Sequence, residues 1–247
     1  MRKAFNGRSV SRFIKLRLVL AGALAIHTSL SAARSIDTGR HRVITAEVIM
    51  LPAPRTSGTV SVEEALHKRY SVREFRSAPI SLKDVSQLLW AAQGITHEDR
   101  LRTAPSAGAI YPLELYLVAG DVLNLPAGIY HYLPERHRLA VIRRGDFRAD
   151  LAAAAMRQEW LKDSAAILVF AAVEQRTKAK YDSRGPGYVR MEVGHAAQNA
   201  LLQAVALGLG GTPVGAFEEE WTAQVLGLAA DEKVLYLVPV GKPPRAK

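Results

Sequence analysis

Five short runs rich in β-branched and aromatic residues, over 113–119, 127–132, 137–142, 165–173 and 233–240, constrain this chain more than any other feature. The second and third face each other across Pro-Glu-Arg-His-Arg and predict a hairpin. Between these runs lie helical patterns over 61–69, 81–93, 146–161, 188–208 and, briefly, 218–226. Ser61 with Glu64, and Ser81 with Asp84, have the spacing of capping boxes, and Leu82, Val85, Leu88, Leu89 and Ala92 share one face of the second helix. Strands and helices therefore occur without a regular βαβ alternation, which predicts an α+β sandwich rather than a doubly wound sheet.

The 247 residues, 49% hydrophobic, are enough for a full core and too apolar for a disordered chain. The formal charge of +10 is unevenly spread. Arg2, Lys3, Arg8, Arg12, Lys15 and Arg17 carry six of the ten excess charges before Ala33, with no acidic residue among them. The rest of the chain is only mildly basic, so neither nucleic acid nor an acidic membrane is expected as its partner. The basic cluster precedes Leu-Val-Leu-Ala-Gly-Ala-Leu-Ala-Ile-His-Thr-Ser-Leu and then Ser31-Ala32-Ala33, which together read as an export signal over 1–33 with small residues at the cleavage positions. That reading places the mature chain in the periplasm or envelope of a bacterium, with no membrane span left after cleavage; the alternative is an uncleaved N-terminal anchor. Ser11 to Lys15 is similar to a twin-arginine export motif lacking one arginine. Residues 34–58 read as an extended linker or arm, and the globular domain is expected over 59–247.

Several chemistries lack support. There are no cysteines, hence no disulfide, thiolate nucleophile or thiolate metal ligand. The glycine-rich Leu207 to Gly215 follows a helix and has Pro213 where a dinucleotide fingerprint needs glycine. No phosphate-binding GxxxxGK[ST] loop occurs, and Ser106 does not lie in Gly-x-Ser-x-Gly. Two Glu-x-x-His pairs, Glu64 with His67 and Glu192 with His195, have di-iron spacing, but the further carboxylate-bearing helices of such a bundle are missing. No metal site is expected.

The positive signal is spread over separated pieces. Arg69, Ser71 and Arg73 alternate, so in an extended segment two guanidinium forks and a hydroxyl share one side, as a phosphate would require or as a solvated surface would allow. Pro105, Ser106 and Gly108 precede a strand in a run of small residues that lets backbone approach a flat ligand. Gly210, Gly211 and Gly215 repeat the device around Pro213, and Lys242 and Arg245 stand near the C-terminus.

Taken in order, "RYSVREF", "PSAGAIYPLELYLV", "KAKYDSRGPGYVRMEVGHAAQNALLQAVALGLGGTPVGAF" and "VLYLVPVGKP" resemble the nitroreductase family of flavin enzymes, most closely its SagB-type dehydrogenase branch. The resemblance implies an α/β/α sandwich with a mainly antiparallel sheet flanked by helices. It implies a homodimer with FMN as cofactor, NADH or NADPH as electron donor, and a ping-pong reaction in which hydride passes through the flavin N5 to a small-molecule acceptor such as a nitroaromatic or quinone. Carried over by position, Arg69, Ser71 and Arg73 match the phosphate motif, and Pro105, Ser106 and Gly108 match the loop along the ribityl chain and ring. Pro213, Val214, Gly215 and Ala216 match the loop whose N–H groups face N5 and O4, and Arg245 matches a late basic residue reaching the phosphate. In azoline-oxidising members of the branch a Lys-Tyr pair removes the ring proton, and Lys180-Tyr181 occupies the similar place before Asp-Ser-Arg-Gly-Pro-Gly-Tyr, which is expected to be a loop over the flavin. The alternative for Lys178, Lys180 and Arg184 is a solvated basic loop. A flavin-binding or flavin-lacking module that scaffolds or senses without turnover is the competing function class.

Overall fold

The computed structural model describes residues 47–245. The export signal at 1–33 and the first part of the arm lie outside the described residues. In chain order the elements are β1 (Val48–Met50), α1 (Val62–Lys68), β2 (Ile80–Ser81), α2 (Leu82–Gln93), β3 (Leu113–Ala119), β4 (Val122–Leu123), β5 (Gly128–Leu133), β6 (Arg138–Arg144), α3 (Arg148–Ala154), β7 (Ala166–Ala172), α4 (Glu174–Tyr181), α5 (Gly185–Ala206), β8 (Gly210–Gly211), α6 (Glu219–Leu226) and β9 (Lys233–Gly241).

Local chemistry explains where the first helices start. The Ser61 hydroxyl accepts the Glu64 N–H at the head of α1, and Ser81 and Asp84 form a complete capping box at the head of α2. Seven strands form one sheet in the order β1-β6-β5-β3-β7-β9-β8, every neighbouring pair antiparallel, and β2 and β4 pair separately in parallel. The central strands are covered on both faces. Leu113, Leu115, Leu117 and Ala119 of β3 join Leu168 and Phe170 of β7 under α2 and α5, while Tyr116 and Val118 join Ile167 and Val169 under α3 and α6. Alternate side chains point to opposite faces, so a strand buried on both faces reads as a continuous apolar run. The sandwich expected from the sequence is therefore present, with helices on each side of an antiparallel sheet.

Three segments differ from the sequence reading. Residues 48–50, within the stretch read as an arm, form an edge strand paired with β6; Leu51 is buried, and the Gln87 amide both accepts from Arg55 N (2.8 Å) and donates to Arg55 O (3.1 Å). The globular body thus begins before residue 59. The helix expected over 146–161 stops at Ala154, and Met156 and Arg157 turn the chain at φ 54° and 57° before a 3-10 turn over Glu159–Asp163. An unbroken helix would carry Leu161 ~15 Å beyond Leu151, whereas the break returns both to one apolar cluster. The third difference is at 174–188: α4 is a polar helix to which no element was assigned, and Asp182 to Tyr188, expected as a loop over the flavin, is a 3-10 turn followed by the first turn of α5. Only the 3-10 turn Asp182–Arg184 separates α4 from α5, which has Pro186 in its first turn. Among the described residues no helix is long and apolar enough to cross a membrane.

Candidate active site

Arg69 caps the C-terminal end of α1, and from there the chain runs extended beside the sheet. Ser71 pairs in parallel with Gly211, and Val72 N donates to Gly211 O at 3.1 Å. Val72 is 4% exposed, which leaves Ser71 and Arg73 on the outward side, as alternation requires. Gly210 makes this approach possible, because a Cβ there would stand 2.6 Å from Val72 Cγ2. Gly210 and Gly211 are buried between Val72 and β9, so their smallness also serves close packing. A cavity of about 130 Å³ opens here, with Arg69, Gly210, Gly211, Leu201 and Val205 of α5 and Pro243 among its walls. The C-terminal strand end is tied to the same place: Arg76 N donates to Lys242 O and Arg76 Nε to Pro243 O, both at 2.9 Å. Arg245 follows two residues later and is exposed.

The loop after β8 is only partly available to a ligand. Val214 is buried and exchanges both backbone hydrogen bonds with Leu237, at 2.8 and 3.0 Å, so its N–H does not face outward. Pro213 has no N–H. The expectation that this whole loop presents donors is thus corrected to Gly215 and Ala216, both exposed, whose N–H groups meet no acceptor among the described residues. Ala216 O is held by the Gln158 side chain at 3.0 Å.

The loop before β3 carries strain. Gly108, Ala109 and Tyr111 all have positive φ, at 64°, 54° and 53°, and two of them pay the Cβ penalty of the left-handed region. Ser106 holds the turn, its carbonyl accepting Ala109 N (3.1 Å) and its hydroxyl accepting Tyr111 N (2.9 Å). Pro105 and Gly108 are exposed. Lys180 and Tyr181, at the end of α4, reach this loop: a Cβ on Gly108 would stand 2.7 Å from Lys180 Nζ and 2.8 Å from the Tyr181 hydroxyl. The Tyr181 ring meets Tyr188 edge-on, with centroids 5.1 Å apart, and Asp182 ends the helix at φ 47°.

The structure adds a group that the motifs did not assign. Arg102 donates to Gln93 Oε1 at 2.7 Å and lies 4.6 Å from the Tyr111 ring centroid. Glu192 of α5 is 3% exposed beneath Ser106. Burial pushes its carboxyl up to about 7 despite the opposing pull of the Ser106 hydroxyl and of Arg102. Its paired residue in the metal reading, His195, is one turn away but exposed while Glu192 is buried. The stripe Val189, Val193, Ala196, Ala200, Ala204 was the available signal, since position 192 falls on its buried side.

A sequence model described as the nitroreductase family matches residues 66–242. The chain belongs to the nitroreductase family. A protein of Methanocaldococcus jannaschii named as a nitroreductase is 43% identical over 183 residues, 74% of this chain and 91% of that protein. A nitroreductase-named crystal structure from Ralstonia eutropha superposes with a TM-score of 0.72 at 31% identity, covering 82% of this chain and 92% of that one. The microcin B17-processing protein McbC of Escherichia coli is 27% identical over 155 residues, 60% of this chain and 57% of McbC, so this chain matches little more than half of that relative's length. This is an oxidoreductase family, and its fold is the one found here.

Proposed function

We propose that the protein is an FMN-dependent oxidoreductase that passes electrons from NAD(P)H to a small acceptor at one site, donor and acceptor binding in turn. The observation that carries the reading is the arrangement along α5. Leu201 lines the cavity at Arg69, and Glu192 lies beneath Ser106, nine residues earlier and therefore ~14 Å away along the helix axis. Lys68 and Arg69 stand at one end, with Arg73 further along the same extended segment, and a strained loop of small residues lies at the other, which suits an elongated cofactor with a phosphate at one tip and a flat ring at the other.

The residues present fit FMN. Arg69, Ser71, Arg73 and, from the C-terminus, Arg245 would hold its phosphate. Pro105, Ser106 and Gly108 would lie along the cofactor, and the free N–H groups of Gly215 and Ala216 would meet its ring edge. Bound FMN supplies a ring that accepts and returns two electrons with a proton. The protein's part is to orient that ring, to present fixed N–H donors where charge develops, and to leave a face open for the reactant. Met191 on α5 and Val62 and Leu66 on α1 are large apolar side chains left exposed, the kind of surface a second copy of the chain would cover.

A second reading is favoured by one specific contact. Lys180 Nζ and the Tyr181 hydroxyl close on Gly108, a disposition suited to taking a proton from a substrate held over that loop, as azoline oxidation of the SagB type would need. The export pattern at 1–33 supports an envelope location, and bound flavin that neither NADH nor NADPH bleaches would assign the donor's part to a quinol or another envelope reductant. The test is the absorbance spectrum of the full chain purified with added FMN, before and after anaerobic NADH or NADPH. A flavin spectrum that bleaches is expected. A chain that retains no flavin overturns the reading in favour of a module without turnover.

A further inference from the structure

The break after α3 holds two consecutive residues in strain. Met156 and Arg157 stand in the left-handed region at φ 54° and 57°, and neither is glycine. Both are exposed, so burial of their own side chains does not account for the turn. The turn returns Leu161 to its apolar cluster, and it also sets Gln158 against the loop after β8. Gln158 Nε2 donates to Ala155 O and to Ala216 O, each at 3.0 Å. Both partners are carbonyl oxygens, so only the NH2 end of the amide fits, and both of its hydrogens are used.

Ala216 is one of three points at which that loop is anchored. Val214 exchanges both backbone hydrogen bonds with Leu237, and Glu218 N donates to Ala154 O at 2.8 Å. A trans peptide group is planar, with its C=O and N–H on opposite sides. Because Val214 O accepts from Leu237 N, the Gly215 N–H of the same peptide points away from β9 whatever Gln158 does. The Ala216 N–H belongs to the next peptide. That peptide lies between Gly215, which tolerates a wide range of φ and ψ, and Ala216, whose carbonyl Gln158 fixes. Without this anchor the Gly215–Ala216 peptide is free to turn. We propose that Gln158 is a positioning residue: by holding Ala216 O it aims the Ala216 N–H, and not the Gly215 N–H, at the ring edge of a flavin on this loop.

This inference rests on the flavin reading, and the experiment separates the two. Amide hydrogen exchange at Gly215 and Ala216 is followed residue by residue by NMR in the full chain, with and without saturating FMN. The proteins compared are the wild type and Gln158→Met, which keeps the reach of the side chain and removes its donors; flavin fluorescence gives the FMN affinity of each. In the wild type FMN should slow exchange at both amides. In Gln158→Met the Gly215 amide should stay protected and the Ala216 amide should return to its ligand-free rate. FMN should bind the variant about three- to tenfold more weakly, the value of one net hydrogen bond. A side chain that only props the loop would loosen both amides together or neither. Should Gln158→Met not fold, Gln158→Ala must give the same pattern. An Ala216 amide that stays protected in the variant, or that loses protection together with Gly215, overturns the inference alone. So does a wild type that binds FMN without slowing exchange at Ala216. A wild type that binds no FMN overturns the flavin reading and the inference with it.

Discussion

Replacing Gly108 by alanine separates stability from chemistry at the site. Gly108 sits at φ 64°, where an alanine costs ~1–2 kcal/mol, while the stiffer unfolded chain returns ~0.4–1 kcal/mol. The net loss is thus at most ~1.6 kcal/mol, equivalent to no more than about 6 °C in Tm for a domain of this size. The added Cβ would meet Lys180 Nζ at 2.7 Å and the Tyr181 hydroxyl at 2.8 Å, where ordinary contact begins near 3.4 Å, so both tips must retreat. Lys180 is exposed and swings away at little cost, whereas Tyr181 is held edge-on by Tyr188. Folding should hardly notice the change, but the reach of the pair over the loop should shift by about half an ångström or more. Urea unfolding followed by far-ultraviolet circular dichroism should show the small loss. On the SagB-type reading, steady-state turnover of an azoline peptide should fall by about tenfold to a hundredfold, as expected when a reacting group is misplaced. A stability loss above about 3 kcal/mol, or turnover within about twofold of the wild type, would refute this placement of Lys180 and Tyr181.

Gly215→Val tests the other loop: an added Cβ finds only the Tyr236 ring, at 3.6 Å, so unfolding free energy should stay within ~0.5 kcal/mol while FMN affinity measured by fluorescence drops. Ser81→Ala removes the hydroxyl that accepts Asp84 N–H, leaving the Asp84 carboxylate on the backbone N–H of residue 81, and should cost about 1 kcal/mol in urea unfolding, with flavin content unchanged. Glu192 predicts a pH-dependent stability. Its carboxyl titrates at about 7 in the fold against 4.5 when unperturbed, so the folded chain binds this proton more tightly than the unfolded one. The stability it confers is fully present below about pH 4.5 and lost as pH rises through about 7. Glu192→Gln should remove that slope and be more stable than the wild type at about pH 8, by on the order of 2 kcal/mol after allowance for solvent screening. Urea titrations of both proteins at the two pH extremes measure it.

The strands and the first two helices were legible because each depends on neighbours in the chain. β3 over Leu113–Ala119 and the capping box of α2 follow from a period and a spacing that hold whatever lies around them. The motif pieces could be read for the same reason, although not their distances from one another. What the sequence left open depended on contacts far along the chain. Polar α4, which buries only Thr177, is helical because it docks on α5, and no apolar stripe announces it. That Gly210 must be small to admit Val72 is visible only in the fold, and Val214 looks like a donor until Leu237 takes its N–H. Glu192 was visible as a residue and even as a member of the buried stripe. Its environment came only with the fold, which brought Ser106 and Arg102 to it from a loop about ninety residues away in sequence. Periodicity and capping are local and survive in the bare sequence; which hydrogen bonds are already spent and which charges are buried is decided when distant segments close on the same sheet.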